Sequence, residues 1–143
     1  MSLLDKFLSK KEEYSPLPEG SYAQQRILAV KNELLDLASE ISERLEVVPS
    51  EHAAYVFIGK PPKKFGLAWV HDGKVSNFKT LVEEHSVNPI QLERITDQLR
   101  KAYESSAESP RYSLTLGDRE MVVSPSEELE GQVHQIIDDV LAK

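Results

Sequence analysis

The four histidines are the side chains best suited to chemistry, because imidazole transfers protons near neutral pH and binds metal ions. No two of them have the i, i+4 spacing that places a pair of metal ligands on one face of a helix. A zinc site also needs three or four ligands that converge. We therefore predict no metal site and no catalytic histidine. The four are His52, His71, His85 and His134.

Residues 59–64, with the sequence GKPPKK, place three lysines in one turn. This turn is not a phosphate-binding loop, since such a loop surrounds the phosphate with backbone N–H groups, and Pro61 and Pro62 have none. Charge and proline favour a solvated turn that is protected from pairing with another strand edge. Contact with an anion or an acidic peptide is the alternative.

The aspartates offer no clear acid–base pair. Asp72 and Asp118 are explained by tight turns, and Asp138 and Asp139 lie on the outer face of the predicted last helix. Acid–base catalysis requires carboxylates whose environments separate their pKa values, and no such buried pair is predicted. No G-x-S-x-G sequence offers a serine nucleophile. The sequence therefore predicts neither an enzyme nor a cofactor site.

The composition fits one domain. The chain has 143 residues, of which 40% are hydrophobic and none is cysteine, so a disulfide and a thiolate nucleophile are excluded. The net charge of −7 argues against nucleic acid as a partner, because phosphate binding requires clustered Lys and Arg. No secretory signal is visible, and no apolar run approaches the ~20 residues of a membrane span. We expect a cytoplasmic protein.

A hairpin over residues 65–78 organises the predicted fold. Asp72-Gly73 separates two apolar runs, which is the strongest short-range hairpin pattern. The turn places Trp69 opposite Ser76 and Leu67 opposite Phe78. With a strand at residues 53–58, it forms a three-stranded meander. The other face is small and weakly apolar, so we expect another subunit or a short helix to cover it; it holds Gly66, Ala68, Val70, Val75 and Asn77.

A second hairpin, over residues 112–123, turns at Gly117-Asp118 and pairs Leu114 with Met121 and Tyr112 with Val123. Three longer helices are predicted by apolar residues at helical spacing. Residues 21–46 form the first, which packs within the domain or on a second subunit. Asn88-Pro89 begins the second, and Ser124-Pro125 begins the third, with capping-box Glu127. A short helix over residues 80–85 follows the first hairpin, with Thr80 and Glu83 in capping-box spacing.

The predicted fold class is α+β, with a mostly antiparallel five-stranded sheet, the order α-βββ-α-ββ-α, and helices packed on the sheet. Residues 21–143 form the single domain. Residues 1–20 form a short helix and a proline-rich linker. That helix carries Leu4, Phe7 and Leu8 on one face, which packs on its own domain, docks on a partner protein or, as the least favoured alternative, lies on a membrane.

Surplus apolar surface is typical of an interface, and the predicted elements carry more of it than one small core needs. We therefore predict a non-enzymatic, chaperone- or adaptor-like domain that binds another protein and self-associates. The alternative is a small-ligand-binding or enzymatic domain that uses the sheet face near Trp69 and Tyr55. The predicted contact residues are Leu4, Phe7, Leu8, Ala68, Val70 and Val75.

The order of elements over residues 21–143, together with the length and acidity of the chain, resembles the small chaperones of type III secretion systems that bind single effectors. The resemblance concerns topology, and no residue motif accompanies it. It implies an acidic α+β dimer that binds an unfolded effector segment along hydrophobic patches.

Overall fold

A computed structural model describes residues 14–51 and 53–142. The predicted contact residues Leu4, Phe7 and Leu8 lie outside this range. The described chain has the predicted α+β fold, with a mixed, mostly antiparallel sheet and helices on both of its faces. The described helices are α1 (Tyr22–Ala29), α2 (Lys31–Glu40), α3 (Phe78–His85), α4 (Pro89–Ser105) and α5 (Glu127–Leu141). None of them is long and apolar enough to cross a membrane.

The described sheet has six strands, one more than predicted, in the spatial order β4-β3-β2-β1-β6-β5. Neighbouring strands are antiparallel except for β1 and β6, which run parallel. The strands are β1 (Leu45–Ser50), β2 (Ala53–Lys60), β3 (Lys64–His71), β4 (Lys74–Asn77), β5 (Tyr112–Leu116) and β6 (Arg119–Val123).

The predicted helix over residues 21–46 is confirmed over most of its length, but it is broken at Val30 and its last six residues are not helical. Ser21 caps α1 as predicted, since its hydroxyl accepts from the Gln24 amide at 3.2 Å. The helix breaks at Val30, whose backbone (φ −119°, ψ 23°) leaves the helical region. A second helix, α2, ends at Glu40, and the next segment is β1 rather than more helix. All six residues of β1 are buried, which identifies it as a central strand.

Both predicted hairpins are confirmed, together with most of their register. Trp69 pairs with Ser76, and the second hairpin pairs Leu114 with Met121. Asp72 and Gly73 both have positive φ, as a tight hairpin turn of this type requires. The predicted pairing of Leu67 with Phe78 is wrong, because β4 ends at Asn77 and Phe78 begins α3.

Two helix starts differ from the prediction. Asn77 rather than Thr80 caps α3, and the two side chains form a reciprocal capping box. Ser126 rather than Ser124 caps α5 by accepting from the Leu129 amide at 3.1 Å. The prediction for α4 is confirmed, with Asn88 as the cap and a proline in its first turn.

The sheet separates two layers of core. On one face, α1 and α2 cover the small residues of β2 and β3. On the other face, α3, α4 and α5 cover the large ones, among them Phe57, Leu67 and Trp69. The predicted contact residues Ala68 and Val70 are fully buried and pack in the core beneath α1 and α2. The protein's own helices supply the cover that the sequence assigned to a subunit or a short helix.

Candidate functional site

The most concentrated group of ionisable side chains surrounds Glu46, the only charged residue among the fully buried side chains of the described chain. One carboxylate oxygen accepts from the Tyr103 hydroxyl at 2.7 Å and pairs with Arg44 at 2.8 Å. The other accepts from Arg111 Nε at 2.8 Å and from the Ser124 hydroxyl. We call these five residues the Glu46 network.

Arg111 connects the Glu46 network to the segment that follows α4. Its guanidinium donates to the Ser106 carbonyl at 3.1 Å, to the Ser106 hydroxyl at 3.1 Å and to the Ser109 carbonyl at 3.3 Å. It also lies 4.8 Å from the centre of the Tyr103 ring. The network therefore joins β1, β6, α4 and the loop before β5.

The hydrogen bonds of the network determine the charge of Glu46. Burial alone raises the pKa of this carboxyl, but Ser124, Arg44, Tyr103 and Arg111 together outweigh burial and lower the pKa below 4.5. Burial, followed by the charge of Glu46, raises the pKa of Tyr103 to about 12. Glu46 is therefore a carboxylate and Tyr103 a neutral phenol over the physiological range.

The arrangement around Glu46 stabilises the fold and offers nothing to a substrate. Its carboxylate is fully buried, and both of its oxygens already accept hydrogen bonds. This group was not predicted from the sequence, where Ser124 fits a helix cap and Glu46 fits a helix end. The available signal was a single acid beside an apolar run, in the sequence LEVV.

Two adjoining recesses lie at Trp69. A recess of about 210 Å³ is bounded by Trp69 and His71 of β3, by β4, by α3 and by Leu141 at the end of α5. A second recess of about 110 Å³ adjoins it and also includes Tyr55 and His134. We call them the larger and the smaller recess. Trp69, His71 and Leu141 contribute to both.

A short chain of polar groups lines the smaller recess. The Tyr55 hydroxyl lies 2.7 Å from His134 Nδ1, and His134 Nε2 lies 4.0 Å from an Asp138 carboxylate oxygen. Burial, with smaller contributions from Glu130 and Asp138, raises the pKa of Tyr55. Tyr55 is therefore a protonated phenol that shares a hydrogen bond with His134, and it is not an activated nucleophile.

The other two described histidines, His71 and His85, both line the larger recess. His71 pairs with Asp72 at 3.1 Å on the exposed turn, and His85 lies at the end of α3 beside the larger recess. His52 lies outside the described residues. Among the described residues, no group of three or more His, Asp or Glu side chains is arranged to hold a metal ion.

Val75 is the predicted contact residue that remains accessible in the described chain, at 38% exposure. It stands between Lys74 and Ser76, which line the larger recess. Because successive side chains of a strand point to opposite faces, Val75 faces the α1–α2 side of the sheet and not the recess. The structure thus brings Tyr55 and Trp69 together at one surface and leaves Val75 on the other.

Comparison of the chain with protein-family models, with curated proteins and with solved structures found no match. The resemblance to type III secretion chaperones, which was drawn from the order of elements, stays a prediction.

Proposed function

We propose that this chain is a non-enzymatic protein-binding domain that receives individual side chains of a partner in the two recesses at Trp69. The observation that carries this proposal is their size. Pockets for whole small molecules typically measure roughly 300–1,000 Å³. A cavity of about 150 Å³ is enough to hold a benzene ring. Each recess, at about 210 and 110 Å³, is smaller than such a pocket, and the larger one is big enough for a single aromatic or branched side chain.

The composition of the surface supports the same proposal. The apolar part includes Trp69, Ile137 and Leu141, and polar side chains such as Lys74 and Glu84 border it. An apolar centre with a polar rim is the usual arrangement of a protein–protein contact. Binding energy in such contacts is concentrated where a side chain fills a well-packed pocket.

The alternative is a small-ligand-binding or enzymatic domain at the same surface. The chain of Tyr55, His134 and Asp138 favours it, because a histidine between a phenol and a carboxylate can transfer a proton. The raised pKa of Tyr55 and the small volume of the recess count against it. We therefore rank it second.

A displayed library of random peptides tests the proposal. Peptides that bind the folded chain should share an aromatic or branched apolar residue and should change the fluorescence of Trp69, the chain's single tryptophan. Leu141→Lys places a charge in both recesses and should weaken binding about tenfold or more. Ile90→Lys is the matched control, since Ile90 is 66% exposed and lines neither recess.

Equal weakening by Leu141→Lys and Ile90→Lys would show that the peptides bind elsewhere. Selection of no peptide, together with a Trp69 fluorescence response to metabolite-sized compounds, would favour the alternative function. Both variants are judged only if their far-ultraviolet circular dichroism and unfolding midpoints remain close to those of the unmodified chain. Both residues are partly exposed, so we expect both variants to fold.

A further inference from the structure

The turn between β2 and β3 carries a concentration of positive charge in an acidic chain. We call Lys60, Lys63 and Lys64 the basic turn; all three side chains are exposed. Lys60 and Lys64 are direct cross-strand partners. Within residues 14–51 and 53–142, none of the three forms an ion pair with a carboxylate. Like charges directly opposite each other destabilise a strand pair.

Protection of a sheet edge accounts for only part of this charge. Charged residues are used in this way on edge strands. Strand β4 pairs with residues 68–71 of β3 only, so Lys64 lies on a stretch of β3 whose outer side has no strand partner. Lys63 lies in the turn itself, outside both strands. The like-charge pair of Lys60 and Lys64 still weakens the turn, and a local cost of this kind is expected where a chain binds something.

The basic turn is held in place by contacts to its surroundings. The Lys63 amide donates to the Lys60 carbonyl at 3.0 Å, and the Gly59 amide donates to the Arg44 carbonyl at 2.8 Å. Arg100 of α4 donates from Nε to the Pro62 carbonyl at 2.8 Å. Because the backbone is already ordered, binding a partner here requires little further loss of conformational entropy.

Helix α4 extends the positive charge beyond the turn. The Arg100 guanidinium lies 5.8 Å from the centre of the Phe65 ring and 3.1 Å from Asp97. Lys101 shares the same aspartate at 3.6 Å. Asp97 is thus shared by two cations, Arg100 and Lys101. Together with the three lysines of the basic turn, these cations outnumber the single carboxylate that they contact, although the whole chain has a net charge of −7.

We propose that the basic turn, with Arg100 and Lys101, binds an acidic segment of a partner protein. A short acidic peptide can place its carboxylates on this patch alone. A nucleic acid duplex carries one charge per roughly 1.7 Å along its length, so it would also meet the acidic remainder of the molecule. Lys64 and His71 stand at opposite ends of β3, roughly 23 Å apart at ~3.3 Å per residue. The basic turn is therefore separate from the Trp69 recesses, and its test is independent of theirs.

Fluorescence anisotropy with a labelled oligoglutamate peptide tests this proposal on the full chain at about 20 mM salt, where charge interactions are weakly screened. We expect saturable binding that weakens as salt is added. Lys63→Glu combined with Lys64→Glu should weaken it about tenfold or more. The matched control combines Lys31→Glu with Lys79→Glu, which makes the same charge change on exposed lysines of α2 and α3 and should alter binding less than about twofold.

Three outcomes would overturn the proposal. The first is no binding of oligoglutamate at low salt. The second is an equal loss in the two double variants, which would mean that net charge alone governs binding. The third is binding of single-stranded oligouridine with equal affinity and the same dependence on Lys63 and Lys64, which would assign the surface to nucleic acid instead. All four substituted lysines are exposed, so neither double variant is expected to unfold.

Discussion

At the scale of single residues, Glu46 has the largest consequence for stability. A fully buried carboxylate is tolerated only when partners replace its lost hydration. Here two arginines, a phenol and a serine hydroxyl do so. Removing one partner of such a group lowers the free energy of unfolding by more than the net contribution of the pair, because the other charges are left buried and unpaired.

The substitution Glu46→Gln should therefore lower the free energy of unfolding by about 3–5 kcal/mol, measured by urea denaturation. Arg111, whose side chain is 9% exposed, loses its ionic partner, while the size of the side chain at position 46 is almost unchanged. Glu120→Gln on β6 is the control, because Glu120 is exposed, and it should change the free energy by no more than about 0.5 kcal/mol. Similar values for the two variants would contradict the assigned role of the Glu46 network.

The lowered pKa of Glu46 also predicts how stability depends on pH. Because the pKa is lower in the folded than in the unfolded chain, the carboxylate stabilises the fold above pH 4.5, and this contribution is lost as pH falls through the folded-state pKa. The unmodified chain should therefore lose more stability than Glu46→Gln when the pH falls from about 6 to 2. Urea midpoints across that range provide the measurement, and parallel curves for the two proteins would refute the prediction.

At the scale of elements, local patterns predicted the hairpins, and long-range packing decided what they missed. Asp72-Gly73 and Gly117-Asp118 fix two turns, and alternation fixes which side chains face inward. In contrast, β1 has no alternation, because all six of its residues are buried. Its parallel partner β6 follows it by more than seventy residues in the sequence, so no local sequence pattern predicts that the two strands pair.

The candidate site was predictable only in part, for the same reason. The sequence placed Tyr55 and Trp69 near one another on the large-residue face of the meander, and they are cross-strand partners. It did not predict that Leu141 and His134 of α5 would complete the recesses, because that depends on where the last helix crosses the sheet. Ser124 was predicted to cap the last helix. Its hydroxyl instead donates to Glu46, and Ser126 caps the helix.

The cross-strand pair of Lys60 and Lys64 gives a prediction at this scale. The single substitution Lys60→Glu replaces a repulsive pair with an attractive one, so it should raise the free energy of unfolding by about 0.2–1 kcal/mol at low salt. Lys74→Glu is the control, since its cross-strand partner is His71 rather than a lysine. A loss of stability in Lys60→Glu would show that the two lysines do not repel each other appreciably.

At the scale of the whole molecule, the protein covers its own sheet. Helices lie on both faces, and residues 15–17 extend the sheet beside β5, with the Leu17 amide donating to the Ser113 carbonyl at 2.8 Å. The opposite edge, β4, is four residues long, and the Asn77 amide at its end donates to the Thr80 hydroxyl. Short or covered edges hinder strand-to-strand aggregation. Most of the apolar surface that the sequence assigned to an interface therefore belongs to the core.

Self-association stays a prediction, and the described chain offers it exposed apolar side chains such as Leu28, Val82 and Ile90. The net charge of −7 opposes contact between two copies. Salt screens that repulsion, since the Debye length falls from about 30 Å at 0.01 M to about 8 Å at 0.15 M. We therefore expect the dimer fraction measured by sedimentation velocity to rise with both protein concentration and salt. A dimer that dissociates as salt rises would instead indicate that the basic turn binds acidic residues of a second copy. A chain that stays monomeric under every condition would refute the prediction of self-association.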